Sequence, residues 1–137
     1  MAYKSVYEQI RAHMDEVQKD IEDLVNDTGL QVAKECVAEL KHTSPVGKNT
    51  RHSGRYARSW TYREDKGLMG AKSYVVYNSR DWQLTHLLEN GHLIRNAYGI
   101  QTRRDGGGTE TSPIKHISTA EEKFCQEYYV RISRGIK

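Results

Sequence analysis

Two histidines and a glutamate, His86, Glu89 and His92, stand in the stretch WQLTHLLENGHL at 82–93. Imidazole and carboxylate are the groups a zinc hydrolase uses, neutral rings to hold the metal and a carboxylate to take a proton from its water. Helices built for that purpose place two histidines at i and i+4, on one side. His86 and His92 are six residues apart, which turns them about 120° from each other at 3.6 residues per turn. His92 also follows Gly91, outside the helix, and neither Cys nor Asp joins at ligand spacing; His116 is distant and isolated. The residues therefore predict architecture. Leu84, Leu87 and Leu88 bury one face of a short helix, and the histidines hydrogen-bond backbone around the turn that follows.

The other chemically suggestive residues fare no better as catalysts. Cys125 falls on a helix among core positions with no neighbouring base, and Cys36 and Cys125 form no CxxC pair. Both read as buried free thiols of a reducing compartment, with one disulfide as the alternative. The glycines at 106–108 lack the GxxxxGK[ST] spacing of a phosphate cradle and do not join a strand to a helix. No catalytic residue, metal or cofactor is expected. Lys48, Arg51, Arg55 and Arg58, with Tyr56 and Trp60 interleaved, form a mixture that can follow a nucleic-acid backbone. The same residues suit a solvated or subunit-contacting loop. Arg103 and Arg104 could touch phosphates without reading sequence.

The elements that would position these residues follow from periodicity. Val6, Ile10, Met14, Val17, Ile21 and Leu24 form one stripe of an amphipathic helix. The pattern pauses at Asn26–Gly29, where Thr28 and Gln31 suit a capping box. It resumes through Val32, Ala33, Cys36, Val37 and Leu40, and Ser44-Pro45 ends it. This reads as a long helix with a break or kink near Gly29, a helical arm over 1–41. Residues 44–55 are loop-like. Alternation in YARSWTYRE predicts a strand with Tyr56, Arg58, Trp60 and Tyr62 on one face. After a turn at DKGLMG, AKSYVVYN predicts its antiparallel partner. The helix at 82–90 closes at Gly91, and HLIRNAYGIQ adds strand. The sheet region with its short helix thus covers 56–101, and a flexible glycine-rich loop covers 102–115. Ser118 to Glu121 reads as a capping box opening a C-terminal helix over 118–134, with Ala120, Phe124, Tyr128 and Ile132 on its apolar face. Trp60 and Phe124 are expected in the core between the sheet and that helix.

One domain accounts for all 137 residues. The fold expected is α+β, a small, mainly antiparallel sheet packed by a long kinked N-terminal helix and a C-terminal helix. No apolar run approaches the ~18 residues of a membrane span, and the first ten residues lack the pattern of a signal peptide. The net charge of +3 conceals a split. Residues 1–40 hold nine acids against four bases, whereas 41–80 hold nine bases against Glu64 and Asp65 alone. Such polarity suits nucleic acid, or the acidic side of one subunit meeting the basic side of the next.

Three blocks stand in one order: SPVGKNTRHSGRYARSW at 44–60, YNSRDWQLTHLLENGHLIRN at 77–96 and HISTAEEKF at 116–124. Together they resemble the phage head–tail joining family, the neck or tail-completion proteins of long-tailed phages, with relatives in PBSX-like prophages and contractile bacteriocin-type tails. The matching positions are Gly54, Tyr56, Ala57, Trp60, Asn78, Leu84 to Leu88, Glu89, Gly91, His92, His116, Ile117, Ala120 and Glu121. The chain departs from the family pattern at Ser118-Thr119, where a proline is usual, and at 96–99, where Asn-Ala-Tyr-Gly replaces a basic, glycine-containing run. The resemblance implies a structural virion protein rather than an enzyme. It implies a ring of identical subunits, a hexamer, at the head-proximal end of the tail, which caps the tube and joins it to the connector or collar. Its partners would be its own copies and tail tube, sheath or connector proteins, with transient contact to DNA in the channel and none to membrane. Assembly would take place in the host bacterial cytoplasm. Glu89 would pair with a basic strand residue, and Gly91 would turn the chain toward a third strand. Arg51, Arg55, Arg58, Arg103 and Arg104 would face a subunit neighbour or the channel. The alternative is a sequence-independent DNA-binding protein of the packaging or neck channel.

Overall fold

A computed structural model describes residues 3–47, 51–67, 70–92, 95–96, 99–100 and 111–136. The chain begins with helix α1, Val6–Thr43. Ser5 and Glu8 cap it reciprocally: the Glu8 amide donates to the Ser5 hydroxyl and the Ser5 amide donates to the Glu8 carboxylate. The helix stops at Ser44, whose extended backbone (ψ 142°) is what the following proline demands.

The interruption expected near Gly29 does not occur, since α1 runs unbroken through it. Thr28 is buried within the helix rather than restarting it. Glycine has a different use here: a Cβ on Gly29 would stand 3.0 Å from the Tyr74 ring. The missing side chain lets the sheet approach the helix closely, and a helix held on two sides by packing tolerates one glycine.

Strands β1 (Trp60–Lys66) and β2 (Lys72–Asn78) form an antiparallel hairpin with Trp60 opposite Asn78 and Lys66 opposite Lys72. The strand expected from residue 56 begins later. Residues Arg55–Arg58 form a single helical turn, α2, entered from Gly54 at φ 77°. Tyr56 and Ala57 are both buried as a result, where a strand would have sent them to opposite faces. Helix α3 (Gln83–Asn90) closes at Gly91, as expected, with φ 77°. The short strands β3 (Arg95–Asn96) and β4 (Gly99–Ile100) pair with each other and form no described ladder with β1–β2, so the expected third strand is a separate small hairpin.

Helix α4 (Ile117–Gly135) runs antiparallel to α1: along α4 from Lys123 through Arg131 to Gly135, the neighbours on α1 run back from Glu39 through Glu35 to Leu24. Ala120 and Phe124 from its apolar face join Val32, Val37, Leu40, Tyr56 and Trp60 in one core. Trp60 and Phe124 are both buried there, as their pattern predicts. The exposures of Leu84 on α3 and Cys125 on α4 correct two expectations of burial. Both cysteines are free. Among the described residues, no helix is long and apolar enough to cross a membrane.

Candidate functional site

The histidine–glutamate motif is a junction between helices. Glu89, in the last turn of α3, turns its carboxylate onto the first turn of α4. Oε2 accepts the backbone amides of His116 and Ile117, each at 3.0 Å. Oε1 accepts the Ser118 amide at 2.9 Å and the Ser118 hydroxyl at 2.5 Å. The first amides of a helix lack partners within it and carry the positive end of its dipole, so an anion here satisfies both needs. The expected pairing of Glu89 with a basic strand residue is thus replaced by a helix cap. Ser118 is not the capping residue either: its hydroxyl donates to Glu89. Burial alone would push the Glu89 carboxyl upward. The Ser118 hydroxyl and amide, with the Ile117 and His116 amides, outweigh it and hold the group at about 2.

His116 completes the junction. Its Nδ1 lies 2.8 Å from the Ile114 carbonyl oxygen, which can only accept, so Nδ1 carries the proton. Its Nε2 then accepts from the Tyr56 hydroxyl at 2.7 Å. Tyr56, His116 and Trp60 meet edge to face, with ring centroids 5.7–6.3 Å apart. Burial, followed by the nearby Glu89 charge, pushes the Tyr56 hydroxyl up to about 12. The Trp60 indole donates to the Ser44 hydroxyl at 2.7 Å, which ties the end of α1 to the same cluster.

Gly91 and His92 hold the strap that leads back into α4. A Cβ on Gly91 would stand 2.5 Å from the Thr111 carbonyl oxygen, so only glycine fits, at a φ that also favours it. The His92 carbonyl accepts the Thr111 amide at 2.8 Å, and the His92 amide donates to the Thr111 hydroxyl. The His92 imidazole Nδ1 lies 3.1 Å from the Thr111 hydroxyl, so the ring meets a side chain where a backbone partner was expected. His86 is exposed and has no hydrogen bond among the described residues. No three His, Cys, Asp or Glu side chains gather at metal-binding distance among those residues.

A second constellation lies around α2. Arg51, His52, Arg55, Arg58 and Arg80 line one open depression of about 410 Å³. Arg55 is committed within it, donating to both Asp81 oxygens at 2.9 and 2.5 Å. That contact holds the Asp81 carboxyl below its usual range. Arg51, Arg58 and Arg80 are exposed and make no ion pair among the described residues. Arg103, Arg104 and Lys48 lie outside the described residues.

Sequence reasoning missed Asp81 and Arg80, and it named Asn78 only as a matching position without the role this buried side chain has in organising them. Asn78 accepts the Asp81 amide at 2.8 Å and donates to the Tyr56 carbonyl oxygen at 2.8 Å. The signal was Asn-Ser-Arg-Asp after a strand, an Asx-turn sequence.

An open apolar cleft of about 780 Å³ lies between α1, β2 and α4. Its half-buried thiol, Cys36, is pushed up to about 11 by burial and by Glu39, and so stays protonated and unreactive. The Glu89 cap and the Tyr56–His116 hydrogen bond join chain segments to one another.

Comparison with known families accords with a structural part. Residues 8–91 match the family described as "Bacteriophage HK97-gp10, putative tail-component". No curated protein and no solved structure shows a significant match. The matched region runs from the first helical turn of α1 to Gly91, taking in α2, the hairpin and all of α3. It covers more than half of the chain and includes the first motif block of the tail-completion resemblance and the second as far as Gly91. The chain belongs to the HK97-gp10-like family of phage tail components, structural proteins of the virion.

Proposed function

We propose that this protein is a tail-completion protein: a ring of identical subunits at the head-proximal end of a phage or phage-like tail. It caps the tail tube and joins it to the connector or collar. The observation that carries this reading is the unfinished surface of α1. Its first turns hold Val6, Tyr7, Ile10, Met14, Val17 and Ile21 exposed on a helix that nothing described covers. A tail component with such a stripe is built to be finished by assembly. Closed rings use head-to-tail contacts between two different faces, and an acidic arm with a basic depression elsewhere supplies two such faces. Six copies, contacts with tube, sheath or connector proteins, residence in the tail neck, and assembly in the host cytoplasm belong to this proposal.

Deleting the gene from its phage tests the reading. Tails of normal length and filled heads should accumulate unjoined, as seen by negative-stain microscopy, and a plasmid copy should restore whole particles. Particles joined normally without the protein would refute a joining role. A second reading, sequence-independent contact with DNA in the channel, draws on the basic depression at Arg51, Arg58 and Arg80. Salt-dependent binding of the purified chain to duplex DNA would favour it.

A further inference from the structure

Residues 6–21 of α1 project past the other described residues, since a Cβ on Gly70 of the hairpin turn would stand 3.6 Å from the Glu22 carboxylate. Helix α4 ends where Gly135 meets the Leu24 side chain. The hairpin ends nearby, where the Lys72 amide donates to the Asn26 side chain. The arm before these contacts extends about 24 Å at 1.5 Å per residue. Its apolar stripe continues the face by which α1 packs on β2 and α4 through Val25, Val32 and Cys36. On the arm that face stands open, with Tyr7 70% and Met14 65% exposed. Asp15, Glu16, Asp20 and Asp23 occupy the remaining faces, and none has an ion-pair partner among the described residues.

The depression around α2 has the opposite character. Arg51, Arg58 and Arg80 stand unpaired among the described residues, and two large apolar side chains border them. Trp82, next but one to Arg80 in the chain, is 63% exposed, and Val46, beside Gly54, is 57% exposed.

We propose that the α1 arm docks on a second copy of this chain, its acidic flank against Arg51, Arg58 and Arg80 and its apolar stripe over Val46 and Trp82. Each surface has what the other lacks, both in charge and in uncovered apolar area. Pairing of two arms would instead place acids against acids. Because arm and depression are different parts of the chain, the contact is head-to-tail and leaves each copy with one of each surface to offer. It deepens the ring reading by supplying the ring's contact, yet holds wherever in the virion the ring sits.

Charge reversal in two batches tests the contact with the full chain. One variant carries Asp15→Lys, Glu16→Lys, Asp20→Lys and Asp23→Lys; the other carries Arg51→Glu, Arg58→Glu and Arg80→Glu, leaving Arg55 to its partner Asp81. Wild-type protein should self-associate with concentration in sedimentation velocity. Each variant, folded by circular dichroism, should need at least tenfold more protein to associate. An equimolar mixture should regain wild-type association, because each variant then supplies the charge the other has lost. A chain carrying both sets should recover by itself. A wild type that stays monomeric at every concentration would overturn the proposal. So would variants that associate normally, or a mixture that remains dissociated. If the arginine variant loses only duplex-DNA binding, the depression serves nucleic acid and the docking proposal fails. If the variants fold less stably than wild type, single reversals at Asp20 and Arg58 provide the same mixing test.

Discussion

Glu89 Oε1 lies 2.5 Å from the Ser118 hydroxyl oxygen, across 29 residues of chain. With it, the same carboxylate collects three backbone amides at the start of α4. This contact makes one unit of α3 and α4, and it gives the glutamate two residues before Gly91 its role.

The Glu89 cap predicts an acid-sensitive fold. Its folded-state value of about 2 lies below the ordinary 4.5, so the stabilisation is complete above about pH 4.5 and is lost as pH falls toward 2. A depression of that size corresponds to roughly 3 kcal/mol at neutral pH. Glu89→Gln should therefore lower stability by about 2–3 kcal/mol at pH 7. The difference between variant and wild type should shrink below pH 4. Urea titrations from pH 7 to pH 3 check this; a difference that is constant across the range would show that the charge is not what matters.

Tyr56→Phe removes the only described donor to His116 Nε2 and leaves that nitrogen buried. The expected loss is about 1–3 kcal/mol. Wild-type Tyr56 stays neutral in the fold up to about 12, against an ordinary 10. Its contribution is thus present below pH 10 and falls away between 10 and 12, and the variant should lack that alkaline component. Unfolding at pH 8 and pH 11 separates the two effects.

Trp60 and Phe124 anchor the core from opposite sides. Truncating either to alanine should cost about 3–5 kcal/mol in denaturant titration. Trp60→Phe, which keeps most of the volume but drops the indole bond to Ser44, should cost about 1–2 kcal/mol. An effect below roughly 1 kcal/mol for Phe124→Ala would place that ring at a compliant surface instead.

The parts of this architecture with a long local period were legible in the sequence. Ala120, Phe124 and Tyr128 mark α4, and the alternation from Thr61 onward marks the hairpin. Tyr56 and Arg58 misled because a single helical turn is too short to show a period, and it runs directly into a strand whose alternation extends backward over it. Gly29 misled because a glycine that admits a ring and a glycine that breaks a helix look alike along the chain. The junction was only half legible. His-Glu-Gly-His announced a constellation, but the partners of Glu89 and Arg55 lie 26 to 29 residues away and three of them are backbone amides. Periodicity carries no information about such contacts.

In the proposed role, this tail component sits as a ring where the tail meets the head. Cryo-electron microscopy of the intact particle, or of purified tails, tests it directly. The expected result is a closed ring at the head-proximal end of the tube, six copies of this chain around the axis, into which α1, the β1–β2 hairpin and α4 fit as one body. Density for the chain at the distal tip, along the tube, or nowhere in the mature particle would contradict it.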